Sequence, residues 1–371
     1  MILGFVAKEA IFILLEKSNM RAGKEFIRPS ANFIAPSTWH RIKTIDLHTG
    51  GEPLRVILDG FPEIKEKSVL DARRYVQQHH DHLRQALMFE PRGHADMYGC
   101  LLVPPNDEGA DFGILFLHNG GYSTMCGHAI IAISTLAVEM GWVETTHPET
   151  KLEIDAPCGR ITAYAKIEKG QVSNVRFHGV PSFVLLDNGE IEVPGIGLVR
   201  FDLAYGGAFY AYVEAAPLGL SLEPESISEL ITKGMAIKRA IMASDIAVQH
   251  PFEVDLSFLY GTIFMDESPT PGVDSRNVCI FAEGEVDRCP TGSGVAGRMA
   301  LHWSQGRLQE GQSMYIESIT GSVFRGTVNQ LLDYGSMPAV IPEVEGNAFI
   351  TGQHEFLINP QDPFKNGFFL R

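Results

Sequence analysis

The chain has 371 residues, a length that allows two or three domains with substantial cores. Its formal net charge is −15 and its Lys and Arg residues form no cluster, so neither a nucleic acid nor an anionic membrane surface is an expected partner. With 45% apolar and 20% charged residues, the composition is that of an ordinary globular protein.

The N-terminal stretch carries no recognisable targeting signal. Residues 1–15 are apolar, but Lys8 and Glu9 interrupt them and no basic region precedes them, so we expect no signal peptide. Residues 1–40 match nothing later in the chain and are interpreted as an N-terminal extension. No stretch reaches the roughly 20 apolar residues of a membrane span.

Short β-type runs, separated by Gly, Pro, Asn and Asp, alternate with a few helical patterns. In chain order these patterns predict a strand at 54–58, a helix at 69–88, a strand at 112–117, a helix at 127–140, strands at 160–166 and 209–213, a helix at 224–243, a strand at 277–282, a helix at 292–305 and a strand at 322–328. The pattern indicates an α+β protein with two domains and a cleft between them.

Two stretches of the chain repeat one arrangement: a small nucleophile-type residue, a glycine, an apolar helical run and a closing glycine. Cys126 opens the first stretch and Thr291 the second, and the same spacing aligns Gly141 with Gly306. Shorter matches flank them in the same order: 46–51 with 202–207, and 154–159 with 316–321. We therefore predict duplicated domains, the first over 41–198 and the second over 199–344.

The repeated helix starts predict a site for a small acid. Positive helix N-termini with unpaired N–H groups bind carboxylates, and the glycines let the backbone approach closely. The groups expected to hold the carboxylate are the backbone N–H groups of Gly127, His128, Gly292 and Ser293. The same field should lower the pKa of Cys126 below the free value of about 8.5, so that its thiolate can remove the proton on the adjacent Cα.

Each candidate residue has a structural alternative. Cys126 could be a buried structural thiol, and Thr291 could be a helix N-cap. His128 could pair with the thiolate, contact the ligand or cap the helix. Asp287 could accept a hydrogen bond from a ligand ammonium or be a solvated loop acid, and Cys289 is expected to be a structural thiol.

Other patterns point to no cofactor site. The five cysteines are too scattered for a disulfide framework and include no CxxC pair, so we expect reduced thiols in a cytoplasmic protein. The segment 79–82, with three His and one Asp, is interpreted as a solvated helix face rather than a metal site. The loop 117–121 lacks the lysine of a P-loop and the spacing of a dinucleotide site.

Four long segments resemble the proline racemase family over about 41–360. They are Asp46–Arg55, Pro91–Gly99, Met125–His128 and Asp287–Gly294. The resemblance implies the fold of diaminopimelate epimerase: two similar α+β domains, each a curved sheet around a central helix, with the site in the cleft between them. It also implies that the C-terminal segment 345–371 returns to the first domain.

The resemblance implies that Cys126 is the catalytic base and that Gly127, His128, Asp287, Gly292 and Ser293 contact the substrate. Racemases and 4-hydroxyproline epimerases of the family carry a second catalytic cysteine where this chain has Thr291. A Cys/Thr pair is similar to that of the family's trans-3-hydroxy-L-proline dehydratases, which implies loss of water to give Δ1-pyrroline-2-carboxylate without a metal or cofactor.

Two other functions stay open at this point. One is a racemase or hydroxyproline 2-epimerase that uses another acid, such as Cys289. The other is a non-catalytic protein that binds small amino acids on the same fold, although binding alone needs no thiol at a helix start. The expected partner is a small-molecule substrate, with no nucleic acid and no membrane, and a homodimer is left open.

Overall fold

A computed structural model describes residues 33–370. His40–Arg371 form one compact unit, and the described residues 33–39 belong to a separate one. The expectations for residues 1–32, including the absence of a signal peptide, lie outside the described residues. Within the described part, no helix has both the length and the apolar character needed to span a membrane.

The strands of the compact unit fall into two consecutive series of nine. The first comprises β1 (His40–Thr49), β2 (Glu52–Asp59), β3 (Tyr98–Val103), β4 (Phe112–His118), β5 (Gly121–Ser123), β6 (Glu149–Ala156), β7 (Gly159–Glu168), β8 (Gln171–His178) and β9 (Phe183–Val193). The second comprises β10 (Gly197–Tyr205), β11 (Phe209–Glu214), β12 (Leu259–Asp266), β13 (Ser275–Phe281), β14 (Glu285–Val286), β15 (Ser313–Glu317), β16 (Val323–Tyr334), β17 (Met337–Gly346) and β18 (Ala348–Ile358).

The α-helices of the compact unit are α1 (Val69–His79), α2 (Asp81–Met88), α3 (Gly127–Glu139), α4 (Ile227–Ala243) and α5 (Gly292–Ser304). The same unit contains short 3-10 helices at Ala216–Leu218, Pro224–Ser226 and Val254–Leu256. The predicted strands lie within β2, β4, β7, β11, β13 and β16, apart from one or two end residues. The predicted helices at 127–140 and 292–305 match α3 and α5 to within one residue.

The single helix predicted at 69–88 is wrong, because the chain forms two helices there. His80 leaves the helical region with φ −130° and ψ 14°. Its ring packs edge-on against Tyr75 and Phe61, a contact that the periodicity of the sequence does not show. Residues 79–82 are half-buried or exposed, in keeping with the predicted solvated face.

The two series of strands pair by the same rules. In the first, β1–β2, β3–β4, β4–β5, β6–β7 and β7–β8 are antiparallel, whereas β2–β3 and β4–β6 are parallel. The strands β10–β17 repeat every one of these pairings in the same order. The fold is therefore a duplicated α+β fold.

The ninth strand of each series pairs with the first strand of the other. β9 runs antiparallel to β10, and β18 runs antiparallel to β1 from His40↔Ile358 to Thr49↔Ala348. A further antiparallel pair, β8–β17, joins the two halves. These exchanges place the C-terminal strand against the first half of the chain.

Each half is wrapped around one helix. α3 packs against β1, β2, β7, β8 and β18, and α5 packs against β9, β10, β11, β16 and β17. Both helices are buried along nearly their whole length, as expected of a helix enclosed by a core. The duplicated halves, each a curved sheet around a central helix, form the diaminopimelate epimerase-like fold that the resemblance implied.

The two central helices also end alike. Gly141 and Gly306 follow them with φ of 67° and 70°, left-handed values that glycine adopts at little cost. Beyond them, the Trp142 N–H donates to the Ala137 carbonyl and the Arg307 N–H to the His302 carbonyl, each at 2.8 Å. The repeated glycines of the sequence are therefore equivalent helix terminators.

Candidate active site

The N-termini of α3 and α5 meet at Gly127 and Gly292. A Cβ placed on Gly127 would lie 2.5 Å from the Cα of Gly292, and one placed on Gly292 would lie 2.6 Å from the Cα of Gly127. Because real Cβ atoms do not approach so closely, only glycine at both positions allows this contact. The free N–H groups of both first turns therefore face one small region.

A small pocket lies at this meeting point. Its lining contains all seven predicted site residues: Cys126, Gly127, His128, Asp287, Thr291, Gly292 and Ser293. A larger groove lies elsewhere, along residues 57–64 and 101–104, and no cysteine or histidine lines it. The chemistry predicted from the sequence is thus concentrated in the smaller pocket.

Cys126 and His128 form a buried pair at the start of α3. The Cys126 Sγ lies 3.1 Å from Nδ1 of His128, and Nε2 of His128 lies 3.2 Å from the Pro53 carbonyl. Since that carbonyl can only accept, Nε2 carries the proton and Nδ1 accepts from the thiol. Burial lowers the pKa of His128 to about 3, so the imidazole orients the thiol and stays neutral.

The expected low pKa of Cys126 is wrong for the empty pocket. Cys126 is 5% exposed, and burial raises the pKa of its thiol well above the usual range. The Ala129 N–H and the Tyr98 hydroxyl lower the pKa, as expected at a helix start, but the charges of Asp287 and Glu52 raise it further. Desolvation therefore outweighs the helix terminus, and the resting group is a thiol.

Thr291 holds the position equivalent to Cys126 at the start of α5. It has φ 67° and ψ 90°, a left-handed conformation that is costly for a β-branched residue. Its side chain makes no capping hydrogen bond, so the N-cap alternative does not explain its hydroxyl. The Thr291 Oγ1 is buried and has no hydrogen-bond partner. The hydroxyl nevertheless lies close enough to the Asp287 carboxyl to lower the pKa of that group.

Ser293 and Tyr210 shape the α5 side of the pocket. The Ser293 Oγ lies 2.7 Å from the Tyr210 hydroxyl, and Ser293 is 2% exposed. This hydrogen bond holds the first turn of α5 against β11. The backbone N–H groups of Gly292 and Ser293 can then point into the pocket opposite those of Gly127 and His128.

Asp287 lies in the pocket wall and is only 6% exposed, so the solvated-loop alternative is wrong. Burial raises its pKa to about 6, although hydrogen bonds from Cys289 and the charge of Arg288 lower it. A buried carboxyl of this kind is stabilised in its charged form by a cation. The site thus offers N–H groups for an anion and a carboxyl for an ammonium.

Acids from the first half hold the loop that carries Asp287. Glu52 accepts a 2.7 Å hydrogen bond from the Arg288 N–H, and Asp96 lies 2.7 Å from the Arg288 guanidinium. Glu52 is fully buried, and burial together with the charge of Asp287 raises its pKa well above the usual range. The sequence did not identify Glu52, because its partner lies far away along the chain.

Cys289 is 1% exposed and accepts a 3.4 Å hydrogen bond from the Thr291 N–H, as a structural thiol can. It does not line the pocket. Ligand atoms of His128, Asp287 and Cys289 nevertheless lie within 4.8 Å of one another, so these three side chains could hold a metal ion. Of the three, His128 and Asp287 line the pocket, where both can also face an organic substrate.

Sequence reasoning missed the aromatic part of the pocket. The unpredicted lining residues are Tyr98, Met125, Tyr210, Tyr260, Cys279 and Phe281. Tyr98 lies inside a segment that carried the resemblance, but no spacing rule connects it to α3. Met125 directly precedes Cys126, whereas the other four residues lie on β11, β12 and β13 of the second half, and only folding brings these four to α3.

The sequence matches a known protein family over most of its length. Residues 44–369 match the family model described as proline racemase. The chain belongs to the proline racemase family. It is 49% identical to a trans-3-hydroxy-L-proline dehydratase from Colwellia psychrerythraea, over 91% of this chain and 95% of that one.

Relatives with other activities are also similar. A 3-hydroxyproline 2-epimerase from Burkholderia multivorans is 44% identical, over 89% of this chain and 98% of that one. A crystal structure of a hydroxyproline epimerase from Agrobacterium vitis with bound trans-4-hydroxy-L-proline has a TM-score of 0.83 and 32% identity, over 89% of this chain and 96% of that one. The similar proteins thus include both dehydratases and epimerases that are named for hydroxyproline.

Proposed function

We propose that the protein is a cofactor-independent trans-3-hydroxy-L-proline dehydratase. The observation that carries the proposal is the unequal pair at the two equivalent helix starts, with the thiol of Cys126 on one side and the hydroxyl of Thr291 on the other. Inversion at Cα needs an acid on the face opposite the base. A threonine hydroxyl is far too weak an acid to supply a proton as a thiol does, and the buried Oγ1 of Thr291 has no hydrogen-bond partner.

Substrate binding follows from the charges of the pocket. We infer that the carboxylate is bound by N–H groups of Gly127, His128, Gly292 and Ser293, and the ring ammonium by Asp287. Neutralising the carboxylate stabilises the charge that develops when the Cα proton leaves. The ammonium also offsets the charge of Asp287, which is one cause of the raised pKa of Cys126.

The reaction then needs only one acid–base group. Once the substrate ammonium offsets the charge of Asp287, the Cys126 thiol releases its proton to solvent. The resulting thiolate takes the Cα proton, and the electron pair of the Cα–H bond forms the Cα=C3 double bond. The C3–O bond breaks, and the departing oxygen takes the proton from the Cys126 thiol and leaves as water. Cys126 is a thiolate again, and the enamine tautomerises to Δ1-pyrroline-2-carboxylate.

The stereochemistry of the substrate suits this single residue. In the trans isomer, the hydroxyl on C3 lies on the same ring face as the hydrogen on Cα. The thiol that removes that hydrogen is therefore on the correct face to protonate the leaving oxygen. Cys289, the alternative acid for a racemase, does not line the pocket.

The duplicated fold supplies the two helix starts. We propose a first domain of residues 41–198 completed by 345–371, and a second domain of residues 199–344. The substrate would bind where the two meet. We also propose a cytoplasmic location, in keeping with the five free cysteines.

A substrate panel tests the proposed function. Purified protein without additives is incubated with L-proline, trans-4-hydroxy-L-proline and trans-3-hydroxy-L-proline, and Δ1-pyrroline-2-carboxylate should appear only from the last. Cys126→Ser is the matched control and should lose turnover while pyrrole-2-carboxylate still raises its melting temperature. Racemised or epimerised amino acids as the main product would favour the racemase alternative. No turnover, with Cys126 no more reactive towards iodoacetate than the other thiols, would favour a binding protein.

A further inference from the structure

We propose that Tyr98 binds the 3-hydroxyl of the substrate and donates a hydrogen bond to that oxygen as the C3–O bond breaks. This proposal rests on the proposed function and names the group that makes the same pocket specific for a 3-hydroxylated ring. Tyr98 has no part in the acid–base steps proposed for Cys126.

Tyr98 lies beside Cys126 and His128. It is the first residue of β3, is 3% exposed and lines the pocket. Its ring packs edge-on against the imidazole of His128, with 4.8 Å between the ring centroids. Its hydroxyl is close enough to the Cys126 thiol for a hydrogen bond that lowers the pKa of that thiol. Tyr98 therefore lies on the Cys126 side of the substrate.

The face of the ring decides which hydroxyl is relevant. Since the Cα hydrogen and the 3-hydroxyl of the trans substrate share one face, a group that contacts the leaving oxygen must lie near Cys126. The hydroxyl of Tyr210 does not meet this condition, because it is bound to Ser293 on α5. Tyr260 lies between them, with its hydroxyl 3.5 Å from that of Tyr98.

The partners of Tyr98 let its proton change direction. Its hydroxyl lies 2.5 Å from the Ser123 Oγ, and either oxygen can be the donor. The Ser123 Oγ also lies 3.4 Å from the Met125 carbonyl, a long contact that is easily given up. When Tyr98 donates to Ser123, its oxygen can accept from the substrate hydroxyl. When Ser123 donates to Tyr98, the phenol proton can turn to the leaving oxygen.

In this arrangement Tyr98 stabilises charge and does not transfer its proton. Burial raises the pKa of Tyr98 well above its usual range, so the phenol is a poor acid in this pocket. The proton that completes the water comes from Cys126, as the balance of the reaction requires. The phenol supplies a hydrogen bond that strengthens as negative charge develops on oxygen.

Tyr98→Phe tests the proposal because it keeps the ring and removes only the hydroxyl. Dehydration and deuterium uptake at Cα of the unreacted substrate are measured together in heavy water. We expect kcat/KM for dehydration to fall by about 10²-fold, the usual loss for one transition-state donor. Proton removal should persist, so the ratio of deuterium uptake to dehydration should rise at least tenfold.

The matched control is Tyr210→Phe, which removes a buried tyrosine hydroxyl from the opposite side of the pocket. It should leave the ratio of uptake to dehydration unchanged. Ser123→Ala, a smaller change, should raise that ratio in the same direction as Tyr98→Phe. The ratio keeps the test valid if a variant is less stable, because both rates are measured on the same folded fraction.

Three results would overturn the assignment. They are dehydration at the parent rate in Tyr98→Phe, a loss of dehydration without a rise in the ratio, and an equal rise in Tyr210→Phe. The second result would mean that Tyr98 acts only through Cys126 or through folding. Failure of the proposed function itself would be distinct, because the parent protein would then form no pyrroline from trans-3-hydroxy-L-proline.

Discussion

At the scale of single residues, the pocket places opposing demands on Cys126. A base must lose its proton, yet burial and two nearby carboxyls keep Cys126 in the thiol form when the pocket is empty. His128 does not resolve this conflict, since its pKa of about 3 makes it too weak a base. The charge of Asp287 is the part of the problem that a bound ammonium can change.

Asp287 should therefore set the acid limb of the pH dependence. Its pKa is raised to about 6, so in the free protein the charged form is lost below that pH. We expect kcat/KM to fall as the pH drops below about 6, because a protonated Asp287 cannot bind the ammonium. In Asp287→Asn, the maximum of kcat/KM should be lower and its fall below about pH 6 should be absent.

The same group makes the ligand-free protein less stable at higher pH. The pKa of Asp287 is about 6 in the folded protein and about 3.9 in the unfolded chain. Protonation of Asp287 therefore stabilises the folded state at pH values below about 3.9, and this stabilisation is lost as the pH rises to about 6. The free energy of unfolding should thus fall over this range in the parent more than in Asp287→Asn. The exposed Asp245 provides the control, because Asp245→Asn should keep both the acid limb and the stability slope.

At the scale of elements, α3 and α5 approach so closely at Gly127 and Gly292 that neither position has room for a side chain. The atoms that a Cβ on Gly292 would strike belong to the backbone of Gly127, so a rotamer change cannot relieve the contact. The helices would have to move apart. That movement would separate the N–H groups proposed to share one carboxylate.

Gly127→Ala and Gly292→Ala should have matching effects, because both substitutions fill the same contact. We expect each to cost about 1–3 kcal/mol of stability and to weaken binding of pyrrole-2-carboxylate at least tenfold. Thermal unfolding with and without this ligand gives both quantities. If only one variant were impaired, the two helix starts would not share the ligand.

At the scale of the whole molecule, duplication makes the two faces of the pocket comparable. The halves repeat the same strand pairings, and their central helices start at Cys126 and Thr291 and end at equivalent glycines. A single substitution at the start of α5 can therefore give it the thiol that is found at the start of α3. Thr291→Cys tests whether these two residues face each other across the substrate.

We expect Thr291→Cys to give some inversion of L-proline, together with deuterium uptake at Cα in heavy water. The reason is that a thiol on the second face can return a proton there. A chiral assay measures inversion, and retained dehydration of trans-3-hydroxy-L-proline shows that the variant is folded. A folded, dehydrating variant with neither inversion nor uptake would mean that Thr291 does not face the substrate.

The sequence by itself determined the repeated plan of the fold and the seven candidate residues. Short-range patterns carry this information: apolar periodicity predicts the central helices, and glycines mark their ends. The matched positions of Cys126 and Thr291 needed only an alignment of the chain with itself.

Only the tertiary structure decided the electrostatics and the rest of the pocket. The pKa of Cys126 depends on desolvation and on Glu52 and Asp287, which come from opposite halves of the chain. Tyr98 and Tyr210 reach the pocket from separate strands. Burial and contacts between distant segments have no local signature in the sequence, because they arise when the duplicated halves close on each other.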